Sequence, residues 1–141
     1  MALILDTGPL LAFFDQADEA HQAARRLFRD TREPLVIPAP VLVELDYWIH
    51  ERLRPEHLSL LMLDIVRGIY RVEALDFQDY VRVSELVDEY ARMDIGFVDA
   101  AVLAIVERLG EPKLATLDRR HFGVMKPRHV LSLQLLPELS S

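Results

Sequence analysis

The chain has 141 residues, of which 51% are hydrophobic, and this composition excludes a disordered protein while supplying the core of one domain. The absence of cysteine excludes disulfide bonds, thiolate metal sites and cysteine nucleophiles. A net charge of −7 argues against a polyanionic partner, unless several acids are gathered around one cation. With no apolar run of membrane-spanning length and no signal peptide, we expect one soluble, cytoplasmic domain over residues 1–141.

The first predicted element is a short buried strand at residues 2–5 that stops at Asp6. Thr7 and Pro9 favour the start of a helix directly after it. The Asp6 carboxylate should therefore lie at the carboxyl end of a strand, the edge at which open α/β sheets bind ligands. From this segment alone, Asp6 is either a simple helix cap or an acid placed there for function.

A second acid interrupts the apolar face of a helix. A strand at residues 35–37 leads into a helix predicted from Pro40 to about Leu53. Glu44 falls within the apolar stripe of this helix, which consists of Val41, Leu45, Trp48 and Ile49. Because burying a carboxylate is costly unless its charge is compensated, Glu44 either meets a cation or reaches solvent at the edge of the stripe.

The middle of the chain predicts ordinary structural elements. Helices are expected at residues 18–30, from Pro55 to near Gly68, and after Asp76, which should cap the helix that follows it. Residues 70–75 alternate between polar and apolar side chains, as a strand does.

The third acid lies in a segment, residues 98–106, that is apolar on nearly all sides and therefore should be surrounded by protein. The helix macrodipole stabilises Asp99 in its first turn by only about 0.3–1 kcal/mol, which does not offset burial of an unpaired carboxylate. A bound cation is the simplest explanation. Asp94, in the preceding loop, is free to face solvent, and its role stays open.

The fourth acid, Asp118, follows a predicted strand at residues 113–117 and repeats the arrangement of Asp6. A last strand is expected at residues 130–135. The order of elements favours an α/β fold with a parallel sheet of four to five strands sandwiched by helices. Asp6 and Asp118 would then share one rim with Glu44 and Asp99, in the first turns of helices that begin there.

Four carboxylates on one rim repel each other unless cations lie between them. Oxygen ligands without cysteine favour Mg²⁺ or Mn²⁺. Such an ion activates water and stabilises charge on a phosphoryl oxygen. The residues therefore predict metal-dependent hydrolysis of phosphodiester bonds.

Four segments of the chain resemble the PIN-domain ribonucleases, and more narrowly the VapC toxins of bacterial toxin–antitoxin pairs. They are residues 3–7, 43–44, 96–101 and 115–122, in the order and spacing of that family. The resemblance implies an Mg²⁺- or Mn²⁺-dependent endoribonuclease in which Asp6 and Asp99 bind metal directly. Glu44 and Asp118 would complete the site or orient water. The resemblance also implies a partner antitoxin whose C-terminal segment occupies the site.

Several side chains near the end of the chain are candidate contacts for RNA. Five basic residues and one acid lie between residues 113 and 129, and this excess suits either an RNA backbone or a solvated surface. The candidates are Arg119, Arg120, Lys126 and Arg128. For His121, packing in the core beside Phe122 is favoured over contact with a phosphate.

Apolar side chains in the helices at residues 10–14 and 58–65 exceed what the sheet needs for cover, which predicts a homodimer. The main alternative function is a catalytically silent PIN-like scaffold that binds RNA or protein. A phosphoacceptor receiver domain needs paired acids after the first strand, and a dehalogenase-like phosphatase needs an aspartate where Gly8 stands. Both are therefore disfavoured.

Overall fold

A five-stranded parallel sheet forms the centre of the protein in the computed structural model, which describes residues 1–138. The strands lie in the order β3-β2-β1-β4-β5, and every neighbouring pair is parallel. The predicted α/β fold with four to five strands is confirmed. The strands are β1 (Leu3–Leu5), β2 (Leu35–Pro38), β3 (Tyr70–Glu73), β4 (Lys113–Ala115) and β5 (Gln134–Leu136).

Helices flank this sheet, and a short 3₁₀ helix (Ala91–Met93) precedes the sixth of them. Within residues 1–138, none of the helices is both long and apolar enough to cross a membrane. The helices are α1 (Thr7–Phe14), α2 (His21–Asp30), α3 (Ala39–Arg52), α4 (Pro55–Val66), α5 (Phe77–Glu89), α6 (Phe97–Leu109) and α7 (Arg119–Phe122).

The most deeply buried elements are β1 and α6. Strand β1 has neighbours on both sides, and its three leucine and isoleucine side chains are at most 1% exposed. In α6, all seven residues from 100 to 106 are buried, as expected for a stretch without a polar face. Helix α6 packs against α3 and α5. Hydrophobic burial therefore holds the ends of β1 and α6, where Asp6 and Asp99 stand, in defined positions.

The strand order reverses beside β1. The chain leaves β1 to form β2 on one side and later returns to form β4 on the other side. In open α/β sheets a ligand-binding crevice forms outside the carboxyl ends of the strands at such a reversal. Asp6 follows β1 directly and Thr116 follows β4 directly, so both residues lie at this crevice.

Several predicted boundaries are wrong by a few residues. Strand β3 ends at Glu73 rather than residue 75, and the last strand is Gln134–Leu136 rather than residues 130–135. Strand β4 ends at Ala115 rather than residue 117, because its ladder partner Leu5 is the last residue of β1.

Two helix starts test the capping predictions. Helix α1 already begins at Thr7, so Asp6 rather than Thr7 occupies its N-cap position. Asp76 caps α5 as predicted: its carboxylate accepts a hydrogen bond from the Asp79 N–H at 3.2 Å.

Candidate active site

The four acids singled out in the sequence line one cavity of about 400 Å³ at the carboxyl end of the sheet. Asp6 follows β1, Asp99 lies in the first turn of α6, and Asp118 precedes α7. Glu44 lies in the second turn of α3, one turn later than predicted. The cavity is completed by Thr7, Gly8, Leu11, Trp48, Arg52 and Leu117.

Asp6 is buried in the wall of this cavity and is 5% exposed. Although it stands at the N-cap position of α1, its side chain makes no capping hydrogen bond there. Instead, Oδ2 accepts a hydrogen bond from the Thr116 hydroxyl at 2.8 Å. Oδ1 is buried and has no hydrogen-bond partner within residues 1–138. The carboxylate of Asp6 is therefore not explained as a helix cap.

The environment of Asp6 opposes its ionisation. Burial is the main cause of a pKa of about 7, against the usual 3.8. The Thr116 hydrogen bond and the adjacent Thr7 backbone lower this pKa, whereas the charges of Asp99 and Glu44 raise it. A carboxylate that is so costly to ionise gains strongly from a nearby cation.

His121 lies between two of the other acids. Its Nδ1 is 2.8 Å from Asp118 Oδ2 and 3.0 Å from Asp99 Oδ2. Burial alone would lower the pKa of His121, but the hydrogen bond and charge of Asp118 and the charge of Asp99 raise it above its usual value. For Asp99, burial raises the pKa to about 6, the charge of Asp118 adds to the rise, and His121 opposes it.

This position of His121 corrects the prediction that its ring packs in the core beside Phe122. Phe122 is buried at 3% exposure, but the His121 side chain, 20% exposed, contacts the acids instead. Consecutive residues of a helix point about 100° apart, so the two side chains of α7 face different surroundings. The backbone N–H of His121 also donates to Asp118 Oδ1 at 3.0 Å, which fixes the start of α7.

Trp48 is not part of the buried face of α3, contrary to prediction. That face consists of Val41, Leu45 and Ile49, whereas Trp48 is 40% exposed and lines the acid cavity. Glu44 is half-buried and lines the same cavity one turn earlier. The apolar stripe is therefore narrower than predicted, and Glu44 stands at its edge beside the cavity.

Asp94 does not belong to the residues that line the cavity. It is exposed and follows the 3₁₀ helix with a φ of 54°, in the left-handed region that aspartate tolerates better than most residues.

The four basic candidates for RNA contact also lie outside the cavity lining. Arg119 donates to the carbonyls of Leu135 and Pro137 and so ties α7 to β5. Arg128 forms an ion pair with Glu85 on α5. Arg120 and Lys126 are exposed.

The donor set at the cavity suits a hard divalent cation. Two buried oxygens of residues that line it, Asp6 Oδ1 and Thr7 Oγ1, have no hydrogen-bond partner within residues 1–138, and three further acids contribute oxygen atoms. Ligand atoms of Asp99, Asp118 and His121 lie within 4.8 Å of one another. The residues present therefore fit a divalent metal ion.

Comparison with protein families matches residues 3–126 to the PIN domain. The chain belongs to the PIN-domain family. This PIN domain is 29% identical over 125 residues to Ribonuclease VapC26 of Mycobacterium tuberculosis (strain ATCC 25618 / H37Rv). That alignment covers 89% of this chain and 93% of the relative.

Solved structures share the fold of this PIN domain. VapC20 of Mycobacterium tuberculosis, a toxin that cleaves the sarcin–ricin loop, has a TM-score of 0.72 at 20% identity, with 84% of this chain and 92% of that chain covered. VapBC2 of Rickettsia felis, bound to a promoter DNA fragment, has a TM-score of 0.68 at 18% identity, with 96% and 97% covered. DNA-bound VapBC of Salmonella typhimurium has a TM-score of 0.68 at 19% identity, with 96% of each chain covered.

Two residues of the PIN-domain site were missed in the sequence. The hydroxyl of buried Thr116 donates to Asp6 and accepts from the Asp118 N–H at 3.0 Å, so it connects two of the acids. The position of Thr116, between an apolar strand and Asp118, is a sequence feature that indicates a role beside the acids. Arg52 lines the cavity and pairs with Asp15 at 2.6 Å and Asp18 at 3.0 Å, and no local pattern indicated these distant partners.

Proposed function

We propose that this PIN domain is an Mg²⁺- or Mn²⁺-dependent endoribonuclease and the toxin of a toxin–antitoxin pair. The observation that supports this most strongly is the buried Asp6 carboxylate, which has an unpartnered oxygen and lines one cavity with Glu44, Asp99 and Asp118. The relative named as a ribonuclease and the VapC20 toxin support RNA as the substrate.

In this proposal the four acids have different roles. Asp6 and Asp99 would bind the ion directly, because the buried elements β1 and α6 hold them most rigidly. Asp118 and Glu44 would complete the site or orient the attacking water. Thr116 fixes the distance between Asp6 and Asp118 by bonding to both. A divalent ion held there would supply a Lewis acid and lower the pKa of bound water.

The RNA backbone would meet the exposed part of the basic segment. Arg120 and Lys126 are free to contact phosphates from the surface. Arg119 and Arg128 would contribute mainly through the contacts that hold α7 and the following loop in place. In this proposal the −7 net charge is no obstacle, because metal ions neutralise the clustered acids.

The proposed activity is tested by RNA cleavage with the purified full chain. We expect cleavage in Mg²⁺ or Mn²⁺, none after EDTA treatment, and recovery when the ion is restored, because the chain has no cysteine nucleophile. Cleavage that persists in EDTA would contradict the metal-dependent reaction. A folded chain that binds the ion but cleaves no RNA would favour the silent scaffold instead.

A second surface supports an antitoxin partner. An apolar groove of about 820 Å³ adjoins the acid cavity and shares Glu44 and Trp48 with it. Val43 and Tyr47 in this groove are 75% and 57% exposed. We propose that the antitoxin lays apolar side chains in the groove and places an arginine among the acids, where a guanidinium can pair with carboxylates.

Binding of the candidate antitoxin, co-expressed with this chain, is expected to weaken in two variants. Val43→Asp puts a charge into the apolar groove, and Asp6→Asn/Asp99→Asn removes the anions that pair with arginine. Val124→Asp, an equivalent change at an exposed valine outside the groove, should bind normally. Retained binding by the double variant in pull-down and titration experiments would exclude the acids from the interface.

We propose a homodimer formed through the outer face of α4. Of the two predicted surfaces, the one at residues 10–14 is buried at residues 10–12 and half-buried at Phe13 and Phe14, so α4 exposes more apolar surface. On α4, Leu60, Leu63 and Val66 are 58%, 40% and 82% exposed. A dimer of standard size would bury about 1,200–2,000 Å² in total.

Light scattering at tens of micromolar should give the mass of a dimer for the native chain and of a monomer for Leu63→Glu. The introduced carboxylate would otherwise be buried at the centre of the interface. Gln78→Glu, on the exposed side of α5, should leave the dimer intact. A monomeric native chain would rule out self-association.

A further inference from the structure

His121 is placed so that a metal ion bound through Nδ1 would replace the proton that this nitrogen shares with Asp118 Oδ2. Its Nδ1 lies 2.8 Å from Asp118 Oδ2 and 3.0 Å from Asp99 Oδ2. Adjacent ligands of an octahedral ion, each at about 2.1 Å from the ion, are about 3 Å apart. The spacing of these atoms therefore matches neighbouring positions around one ion.

The ring is also held in the way that ligating histidines are held. Asp118 binds the backbone N–H of His121 at 3.0 Å, so the acid and the ring are fixed by the same turn. The backbone of Met93 lies close enough to the ring to contribute to its raised pKa. Histidines that bind metal through one nitrogen commonly bond the other to a backbone carbonyl or carboxylate, which fixes the orientation of the ring.

A separate observation points to a ligand at the same place. Asp6 lines the cavity and is 95% buried, and its buried Oδ1 has no hydrogen-bond partner in residues 1–138. An uncompensated buried carboxylate oxygen is costly, and a cation near Asp99 would compensate it. Asp6 and Asp99 line one cavity, and Asp99 contacts His121.

We propose that His121 binds the divalent ion through Nδ1 beside Asp99 and Asp118, and that this nitrogen makes the site favour Mn²⁺ over Mg²⁺. Mg²⁺ prefers oxygen ligands, whereas affinity for imidazole increases along the transition metals. This inference rests on the proposed metal-dependent function, but it concerns which ion the site selects and which side chain selects it.

Electron spin-echo spectroscopy of the full chain loaded with Mn²⁺ tests the ligand directly. We expect modulation from a ¹⁴N nucleus coupled to Mn²⁺, replaced by a ¹⁵N signal when the histidines are ¹⁵N-labelled. This measurement needs no variant. Absence of nitrogen coupling in Mn²⁺-loaded protein would overturn the inference.

Calorimetric titrations assign the nitrogen and measure the selectivity. His121→Gln should weaken Mn²⁺ binding by about tenfold or more and Mg²⁺ binding by no more than about threefold. His50→Gln is a matched control, because His50 also contacts an aspartate, Asp46, at 3.2 Å but lies outside the cluster of Asp99, Asp118 and His121. It should change neither affinity.

The outcomes separate this inference from the proposed function. Equal losses for both ions in His121→Gln would mean that His121 only positions the acids, and would overturn the inference. Mn²⁺ binding with no nitrogen coupling would overturn it while leaving a metal-dependent nuclease in place. A native chain that binds neither ion would overturn both.

Discussion

Replacing Asp99 by asparagine is expected to reduce RNA cleavage by orders of magnitude, while the melting temperature in EDTA stays the same or rises. Asparagine has nearly the same shape, so the packing of α6 survives when the charge that binds metal is lost. Burial and the charge of Asp118 raise the pKa of Asp99 to about 6, so the native carboxylate destabilises the metal-free fold at neutral pH. Cleavage assays and calorimetry on the same preparations measure both effects.

Asp46→Asn is the control for this substitution. Asp46 lies on α3 with a side chain that is 47% exposed and outside the cavity, so neither cleavage nor melting should change. Asp99 would be a structural residue if its asparagine variant cleaved RNA at the native rate or failed to fold.

Asp6→Asn is expected to stabilise the metal-free protein more at high pH than at low pH. The pKa of Asp6 is raised from 3.8 to about 7 by burial, so the unfolded chain loses this proton first as pH increases. The contribution of Asp6 to stability therefore falls between about pH 4 and pH 7 and is constant above that range. Relative to the native chain, the free energy of unfolding of the variant should be higher by on the order of 4 kcal/mol at pH 8 and by about 2 kcal/mol at pH 5.

Urea denaturation in EDTA at the two pH values measures this difference. Asp94→Asn is the matched control, because Asp94 is exposed and outside the cavity, and it should show the same stability change at both pH values. If Asp6→Asn increased the free energy of unfolding equally at pH 5 and pH 8, Asp6 would ionise like an exposed carboxylate.

The sheet and the four acids were predictable because each depends on local sequence. A three-residue apolar strand followed by Asp6, and an all-apolar α6 with Asp99 in its first turn, place an acid at the end of a buried element. Hydrophobic burial then decides where those ends lie. Their convergence followed from the rule that parallel strands present their carboxyl ends at one edge.

The surroundings of the acids were less predictable, because they depend on side-chain direction and on distant contacts. The position of His121 next to Phe122 predicts that both side chains pack in the core, but the four-residue helix α7 points them in different directions. The spacing of Trp48 fits the apolar stripe and predicts a core position, yet no neighbouring element covers this side chain fully. The Thr116 bond to Asp6 joins residues that are 110 positions apart.

The most direct test of the metal centre is anomalous diffraction from crystals of the full chain soaked in Mn²⁺. We expect a strong anomalous peak in the cavity, within coordination distance of the carboxylate oxygens of Asp6 and Asp99. A peak on another surface, or none in the cavity at saturating Mn²⁺, would contradict a metal-dependent nuclease site at these residues.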